Sequence, residues 1–240
     1  MIKKILNYFS KGELMLWIFS VTLIITVFLI FGGNGILSLV ASLIGVTSIL
    51  LNAKGNSMGQ FLMIIFSLLY GVISYSFSYY GEMITYLGMS MPMAAFALIA
   101  WLRHPYNGKR SEVQVGSVAG KEIVIMFAIT AIVTTVFYFI LNYFNTANII
   151  PSTIPITTSF LAVYLTFRRS AYFSLAYAAN DVVLIILWGL ASLYDRAYIA
   201  VVVCFVAFLI NDVYAFLSWQ RMKINQSGRD DVKNLLKVSQ

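Results

Sequence analysis

Runs of about twenty apolar residues recur along almost the whole chain. An α-helix needs about 20 such residues to cross a hydrocarbon core of about 30 Å. Of the 240 residues, 60% are hydrophobic and only 10% are charged, whereas a soluble domain has roughly 25% charged residues. The sequence therefore predicts an all-α integral membrane protein.

Eight of these runs are long enough to be transmembrane helices. The first run is too long for the apolar part of a signal peptide and is not followed by a small-residue cleavage pattern. We expect eight spans with short connections, at residues 14–31, 34–51, 61–79, 83–102, 122–142, 152–168, 171–193 and 197–219.

The basic residues are distributed very unequally between the two sides that eight spans create. Of the sixteen lysines and arginines, fifteen fall on one side, including Lys3 and Lys4, and Arg196 alone falls on the other. Because short cytoplasmic loops are enriched in lysine and arginine, this distribution predicts that both termini are cytoplasmic. One span more or fewer would reverse half of the loops, so the charges also support the count of eight.

The two halves of the chain resemble each other at an offset of 118 residues. Tyr70–Ser74 aligns with Trp188–Ser192, and Phe96–Arg103 aligns with Tyr214–Arg221. Spans two to four and six to eight run in the same directions, with span five as the connector, which predicts a 3-1-3 parallel repeat. We expect a peripheral or oligomer-contacting helix at 1–33, repeats at 34–102 and 152–221, a loop and linker helix at 103–151, and a cytoplasmic tail at 222–240.

Two aspartates stand inside predicted spans. Asp181 and Asp212 are each preceded by asparagine, and each lies about 14 to 18 Å from the cytoplasmic end of its span, near mid-depth. An ionisable group there costs several kcal/mol unless it faces a cavity or a partner. We expect these residues and the aromatic residues on their helix faces to bind a solute: Tyr177, Asn180, Asp181, Trp188, Asn211 and Asp212.

Two other interpretations of the Asn-Asp pairs remain open. The pairs can hydrogen-bond each other or the partner repeat and so hold the helices together, or the carboxylates can carry protons. The chain has one cysteine and one histidine, and no phosphate-binding loop, nucleophile elbow or metal-ligand motif is present. We therefore expect no metal, no cofactor and no enzymatic activity. Nucleic acid is not expected as a partner despite the net charge of +7, because that charge follows the pattern of membrane orientation.

Residues 34–222 resemble the PnuC family of bacterial vitamin transporters, which are relatives of the SWEET sugar carriers. The resemblance rests on the 3-1-3 repeat and on Lys54–Gln60, Tyr80–Met83, Asn180 and Trp219–Met222. It implies facilitated diffusion of a nucleoside-like vitamin precursor, typically nicotinamide riboside, across the bacterial inner membrane. It also implies a homotrimer in the lipid bilayer, and a cytosolic kinase as a functional but not physical partner that traps the solute.

The resemblance also implies a role for one further aromatic residue. Family members that take nicotinamide riboside share a Trp-x-x-Trp-x-x-x-Asn pattern on span seven, which falls here on Phe173, Ala176 and Asn180. Phe173 therefore joins the expected site. Because only the asparagine of the pattern is present, a deoxynucleoside or another B vitamin such as thiamine is an alternative solute. A substrate-binding subunit of a multi-component vitamin transporter is an alternative function, and a membrane-embedded enzyme is a third.

Overall fold

Long α-helices make up most of the structure, a computed structural model that describes residues 8–31, 35–76, 80–145 and 149–238. Lys3, Lys4, the start of the predicted second span at residue 34 and the end of the third at 77–79 lie outside these ranges. The described helices are α1 Lys11–Phe31, α2 Ile36–Ala53, α3 Met58–Ser76, α4 Tyr80–Arg103, α5 Gly120–Tyr143, α6 Ile149–Phe167, α7 Phe173–Ser192 and α8 Ile199–Val238.

Seven of these helices are long and apolar enough to cross a bilayer. In α6 the corresponding apolar stretch is shorter, Ser152–Phe167. Each of the seven contains a stretch of 18 residues whose mean hydropathy lies between 1.6, in α4, and 2.7, in α1, which is apolar enough for burial in hydrocarbon. The predicted all-α membrane architecture is confirmed, and the count of eight spans stays a prediction.

Six helices form a ring. Around it, α2 contacts α3, α3 contacts α4, α4 contacts α6, α6 contacts α7, α7 contacts α8, and α8 contacts α2. The third helix of each half thus packs against the first helix of the other half. Outside the ring, α5 packs on α6, and α1 packs on α2 and α8.

The turns that follow α2 and α6 have the same backbone hydrogen bonds. After α2 the amides of Gly55 and Asn56 donate to the carbonyls of Asn52 and Leu51, and after α6 the amides of Arg169 and Ser170 donate to those of Thr166 and Leu165. Gly55 and Arg169 both have positive φ, 65° and 56°, as the residue after a helix does in a Schellman motif. Leu165 follows Leu51 by 114 residues, so this turn is offset by four residues, about one helical turn, from the sequence alignment at 118.

Two tryptophans close one end of the ring. The rings of Trp101 on α4 and Trp219 on α8 are fully buried, with centroids 5.3 Å apart. Trp101 Nε1 donates to the carbonyl of Thr166 at 2.9 Å, and Trp219 Nε1 donates to that of Asn52 at 2.7 Å. Each indole therefore satisfies a backbone carbonyl at the end of the first helix of the opposite half.

Helix α4 contains a π-helical segment at Thr85–Ser90, which ends two residues before Pro92. Proline lacks an amide donor and clashes with the carbonyl four residues earlier. A wider π turn accommodates both effects, and such turns are frequent at functional sites.

Beyond the ring at the Trp101 end, the predicted loop between α4 and α5 contains an antiparallel hairpin. It consists of β1 Pro105–Tyr106 and β2 Lys109–Val113, joined by Asn107 and Gly108 with φ of 50° and 72°. Positive φ at both central residues is the signature of a tight hairpin turn, which Asn-Gly favours.

The tail expected at 222–240 is a continuation of α8 as far as Val238. Gln226 holds this part of α8 against the hairpin. It is 5% exposed. Its Nε2 donates to the carbonyl of Val113 and to Glu112 Oε1, both at 3.0 Å, and its Oε1 accepts from the amide of Val115 at 2.8 Å.

Candidate functional site

A cavity of about 930 Å³ lies inside the ring, lined by α2, α3, α4, α6, α7 and α8. At one end it stops at Phe173, which packs against the Trp101 and Trp219 rings at 6.1 and 4.8 Å. At the other end its lining includes Phe144 and Tyr194, and Tyr194 is 94% exposed. The cavity is therefore closed at the tryptophan layer and reaches the surface where α3, α5 and α7 end.

The two aspartates predicted to bind solute both line this cavity. Asp181 and Asp212 are each 4% exposed, and their carboxyl groups lie within hydrogen-bonding range of each other. Asp181 Oδ2 is buried and accepts no hydrogen bond from a donor in the described residues. A buried acceptor without a donor is costly unless a ligand or a proton satisfies it.

Asn180 also lines the cavity, with a fixed orientation. Its Oδ1 accepts hydrogen bonds from Thr158 Oγ1 at 2.7 Å and from Ser159 Oγ at 3.0 Å, both on α6. Because the carbonyl oxygen is already bound by two hydroxyl donors, the amide NH₂ group is the part of the side chain left for a ligand.

The predicted aromatic residues of α7 line the same cavity at different depths. Phe173 is 1% exposed and forms its floor. Tyr177 lies one turn further along α7, and its ring is edge-on to Phe173 at 6.2 Å. Trp188 lies toward the open end, where its ring is 5.2 Å from that of Tyr198.

Asn211 is the one predicted site residue that faces away from the cavity. Its Nδ2 donates to Ser20 Oγ on α1 and to the carbonyl of Ala207, both at 2.7 Å. Adjacent helical residues point about 100° apart, so when Asp212 faces the cavity, Asn211 faces α1. Asn211 therefore joins α1, which lies outside both predicted repeats, to the ring.

The first half supplies an aromatic wall that the sequence did not reveal. The Phe66 ring lies 4.6 Å from Tyr70 and 6.2 Å from Tyr86, and the two tyrosine rings are 5.2 Å apart. All three line the cavity. Aromatic residues in apolar runs usually pack in cores or face lipid, so only the closing of α3 on α4 identifies them.

Glu82 was also missed as a site residue, although its segment carried part of the family resemblance. The fourth span was expected to start at residue 83, whereas α4 starts at Tyr80 and brings Glu82 into the cavity lining. The cavity lining contains three carboxyl groups, those of Glu82, Asp181 and Asp212. Among the described residues, no lysine, arginine or histidine lines it. No group of three His, Cys, Asp or Glu side chains in those ranges is arranged to hold a metal. The site is thus acidic, aromatic and suited to a cationic or hydroxyl-rich organic solute.

Comparison with known proteins identifies the family. Residues 35–221 match the model of the family described as nicotinamide mononucleotide transporter. The chain belongs to this family, the PnuC family. The match begins after α1 and includes α2 to α7, α8 as far as residue 221 and every residue of the candidate site.

Two relatives extend this result. The chain is 22% identical over 217 residues to the nicotinamide riboside transporter PnuC of Neisseria mucosa, with 89% of this chain and 82% of that protein covered. The crystal structure of the vitamin B3 transporter PnuC has the same fold, with a TM-score of 0.77 at 20% identity over 91% of this chain and 94% of that one. The predicted PnuC resemblance is confirmed. Since the family and both relatives are transporters, they agree with the expectation of a carrier rather than an enzyme.

Proposed function

We propose that this chain carries nicotinamide riboside, or a closely similar nucleoside, into the bacterial cell by facilitated diffusion. The observation that carries the proposal is the cavity between the halves, which combines aromatic walls with three carboxyl groups and a fixed amide donor. Nicotinamide riboside has a flat cationic ring and a sugar with several hydroxyl groups, so each of its parts has a partner type in the lining.

The charge of the cavity favours a nucleoside over its phosphorylated form. Glu82, Asp181 and Asp212 would repel a phosphate in a membrane interior of low dielectric constant, and no basic side chain among the described lining residues would compensate. A cytosolic kinase would then trap the solute, because the phosphorylated product is a poor ligand for the return step.

We further propose eight spans arranged as α1 plus a 3-1-3 parallel repeat, with both termini in the cytoplasm of a bacterial inner-membrane protein. The reciprocal bonds of Trp101 and Trp219 and the matching turns after α2 and α6 support the repeat. The fifteen basic residues on one side support the orientation, in which the cavity opens toward the outside. The homotrimer implied by the family is part of the same proposal.

Flux into liposomes reconstituted with the purified protein tests the proposed activity. We expect labelled nicotinamide riboside to equilibrate down its gradient, excess nicotinamide riboside to compete, and nicotinamide mononucleotide to compete poorly. Asn180→Ala and Asp181→Asn should each reduce uptake at least tenfold, because the first removes a hydrogen-bond donor and the second removes a carboxylate charge from a buried site. Thr135→Ala, on the exposed face of α5, is the control and should leave uptake unchanged.

Each alternative predicts a different outcome of that experiment. Flux of thiamine or a deoxynucleoside without flux of nicotinamide riboside would assign another solute. Tight binding without flux would indicate a substrate-binding subunit that needs a partner, and a chemically altered solute would indicate an enzyme. Wild-type uptake by Asn180→Ala and Asp181→Asn would show that the solute binds elsewhere.

A further inference from the structure

The aspartate pair, defined as Asp181 and Asp212, poses a problem of charge. Both side chains are 4% exposed, and their carboxyl groups are within hydrogen-bonding range. Two ionised carboxylates at that distance inside a membrane repel each other and lose hydration, whereas one shared proton relieves the repulsion and forms the hydrogen bond.

The groups that face the aspartate pair offer no positive charge to replace that proton. Tyr86 on α4, Tyr177 on α7 and Cys204 on α8 are titratable side chains that interact electrostatically with it. Tyr70 on α3 and Glu82 on α4 interact electrostatically with Tyr86 and line the same cavity. Among the described residues, α2 and α6 contribute no titratable side chain to the cavity lining. Every group that faces the pair is therefore neutral or negative.

A cationic solute would change this balance. A positively charged ring placed beside Asp181 Oδ2, which has no donor of its own, supplies the charge that the second carboxylate needs. The cation then reduces the repulsion between the two carboxylates, as the shared proton did before. Loss of that proton to solvent strengthens the attraction between the solute and the pair. A neutral solute of the same shape supplies no such charge and leaves the proton in place.

We infer that the aspartate pair is a proton-exchange site, which releases a proton to solvent when the positively charged ring of the solute binds. The inference rests on the proposed function, since it takes a cationic nucleoside as the ligand. It adds a property that solute identity alone does not give: binding is linked to pH for a cationic solute and is independent of pH for a neutral one.

Titration calorimetry on the purified wild-type protein tests this directly. Nicotinamide riboside is titrated at one pH in buffers with different enthalpies of ionisation, and the slope of the binding heat against that enthalpy gives the number of protons released. We expect a release approaching one proton, and an affinity that rises up to tenfold per pH unit over the range in which the pair holds its proton. The reduced form of nicotinamide riboside, with a neutral ring of nearly the same shape, should release none.

Asp212→Asn provides a second measurement, because an amide can donate to Asp181 without a titratable proton. This variant should bind nicotinamide riboside with no proton release and a flat dependence on pH. Buffer-independent heats for the wild type, or equal release for the charged and neutral ligands, would overturn the inference while leaving the proposed function intact. A failure of nicotinamide riboside to bind at all would overturn both.

Discussion

The amide of Asn180 is useful to a ligand only while its orientation is fixed. Thr158 and Ser159 bind the carbonyl oxygen from neighbouring positions on α6, so rotation of the amide would break two hydrogen bonds. Thr158 Oγ1 also lies 3.1 Å from the carbonyl of Pro155 on its own helix and can turn toward it. Ser159 is therefore the more specific of the two partners.

We predict that Ser159→Ala weakens solute binding about fivefold. The loss of one hydrogen bond that orients a buried donor costs about 1 kcal/mol, which corresponds to that factor. Equilibrium binding to the purified variant measures the change, and Thr135→Ala on the exposed face of α5 is the control. Unchanged affinity would mean that the Asn180 amide does not contact the solute.

At the scale of the helices, Gly45 lets two aromatic rings from different halves meet beside the cavity. A Cβ atom there would lie 2.7 Å from Phe208 Cζ and 2.8 Å from Phe66 Cε2, closer than carbon atoms approach without displacement. The Phe66 and Phe208 rings are themselves 6.1 Å apart in an edge-on arrangement. The two rings can therefore take these positions in the cavity wall only because Gly45 has no side chain.

We predict that Gly45→Ala destabilises the protein by about 1 to 3 kcal/mol, as overpacking of a filled interior does, and weakens solute binding as the rings move. Gly189→Ala on α7 is a matched control, because its Cβ would meet nothing within 4 Å and alanine favours a helix. Thermal unfolding in detergent, with and without solute, measures both effects. Equal melting temperatures for the two variants would contradict this account of Gly45.

The hairpin and the end of α8 form a second contact between elements, through the Gln226 side chain. We predict that Gln226→Ala speeds hydrogen exchange at the Val115 amide at least tenfold, because that amide loses its acceptor and the contact loses about 1.4 kcal/mol or more. Exchange followed by mass spectrometry on hairpin peptides measures the rate. Gln114→Ala, at an exposed neighbouring position, should leave it unchanged; equal rates in both variants would show that Gln226 does not hold the hairpin.

Helix positions could be predicted from the sequence because a membrane span is a local property. An apolar run such as that of α5 signals its helix without reference to the rest of the chain. The extension of α8 to Val238 could not be predicted in the same way, since its residues are polar and Gln226 is held by contacts with a hairpin more than 110 residues earlier. Contacts of that kind depend on the assembled fold.

For the whole molecule, the parts of the site that could be predicted are those with a local signal in the sequence, and the unpredicted parts depend on contacts in the assembled fold. Asp181 and Asp212 stood out because ionisable residues are expensive in apolar runs. Asn211 was grouped with them but does not line the cavity, since the direction in which a polar residue faces depends on how α8 is rotated against α1 and the ring. Tyr70 and Tyr86 carried no signal, because only the packing of α3 against α4 brings their rings together.

The side of the membrane to which the cavity opens decides from which side a solute can enter it. All the described basic residues except Arg196 lie toward the end closed by Trp101 and Trp219, so in the proposed orientation Tyr194, at the open end, faces the outside of the cell. We predict that a cysteine at position 194 (Tyr194→Cys) reacts with a membrane-impermeant maleimide added to intact cells. A cysteine in the hairpin (Lys109→Cys) should react only after permeabilisation. Cys204 is buried, and its replacement by serine removes background labelling. The opposite pattern would mean that the cavity in this structure opens to the cytoplasm, and that the proposed orientation is wrong.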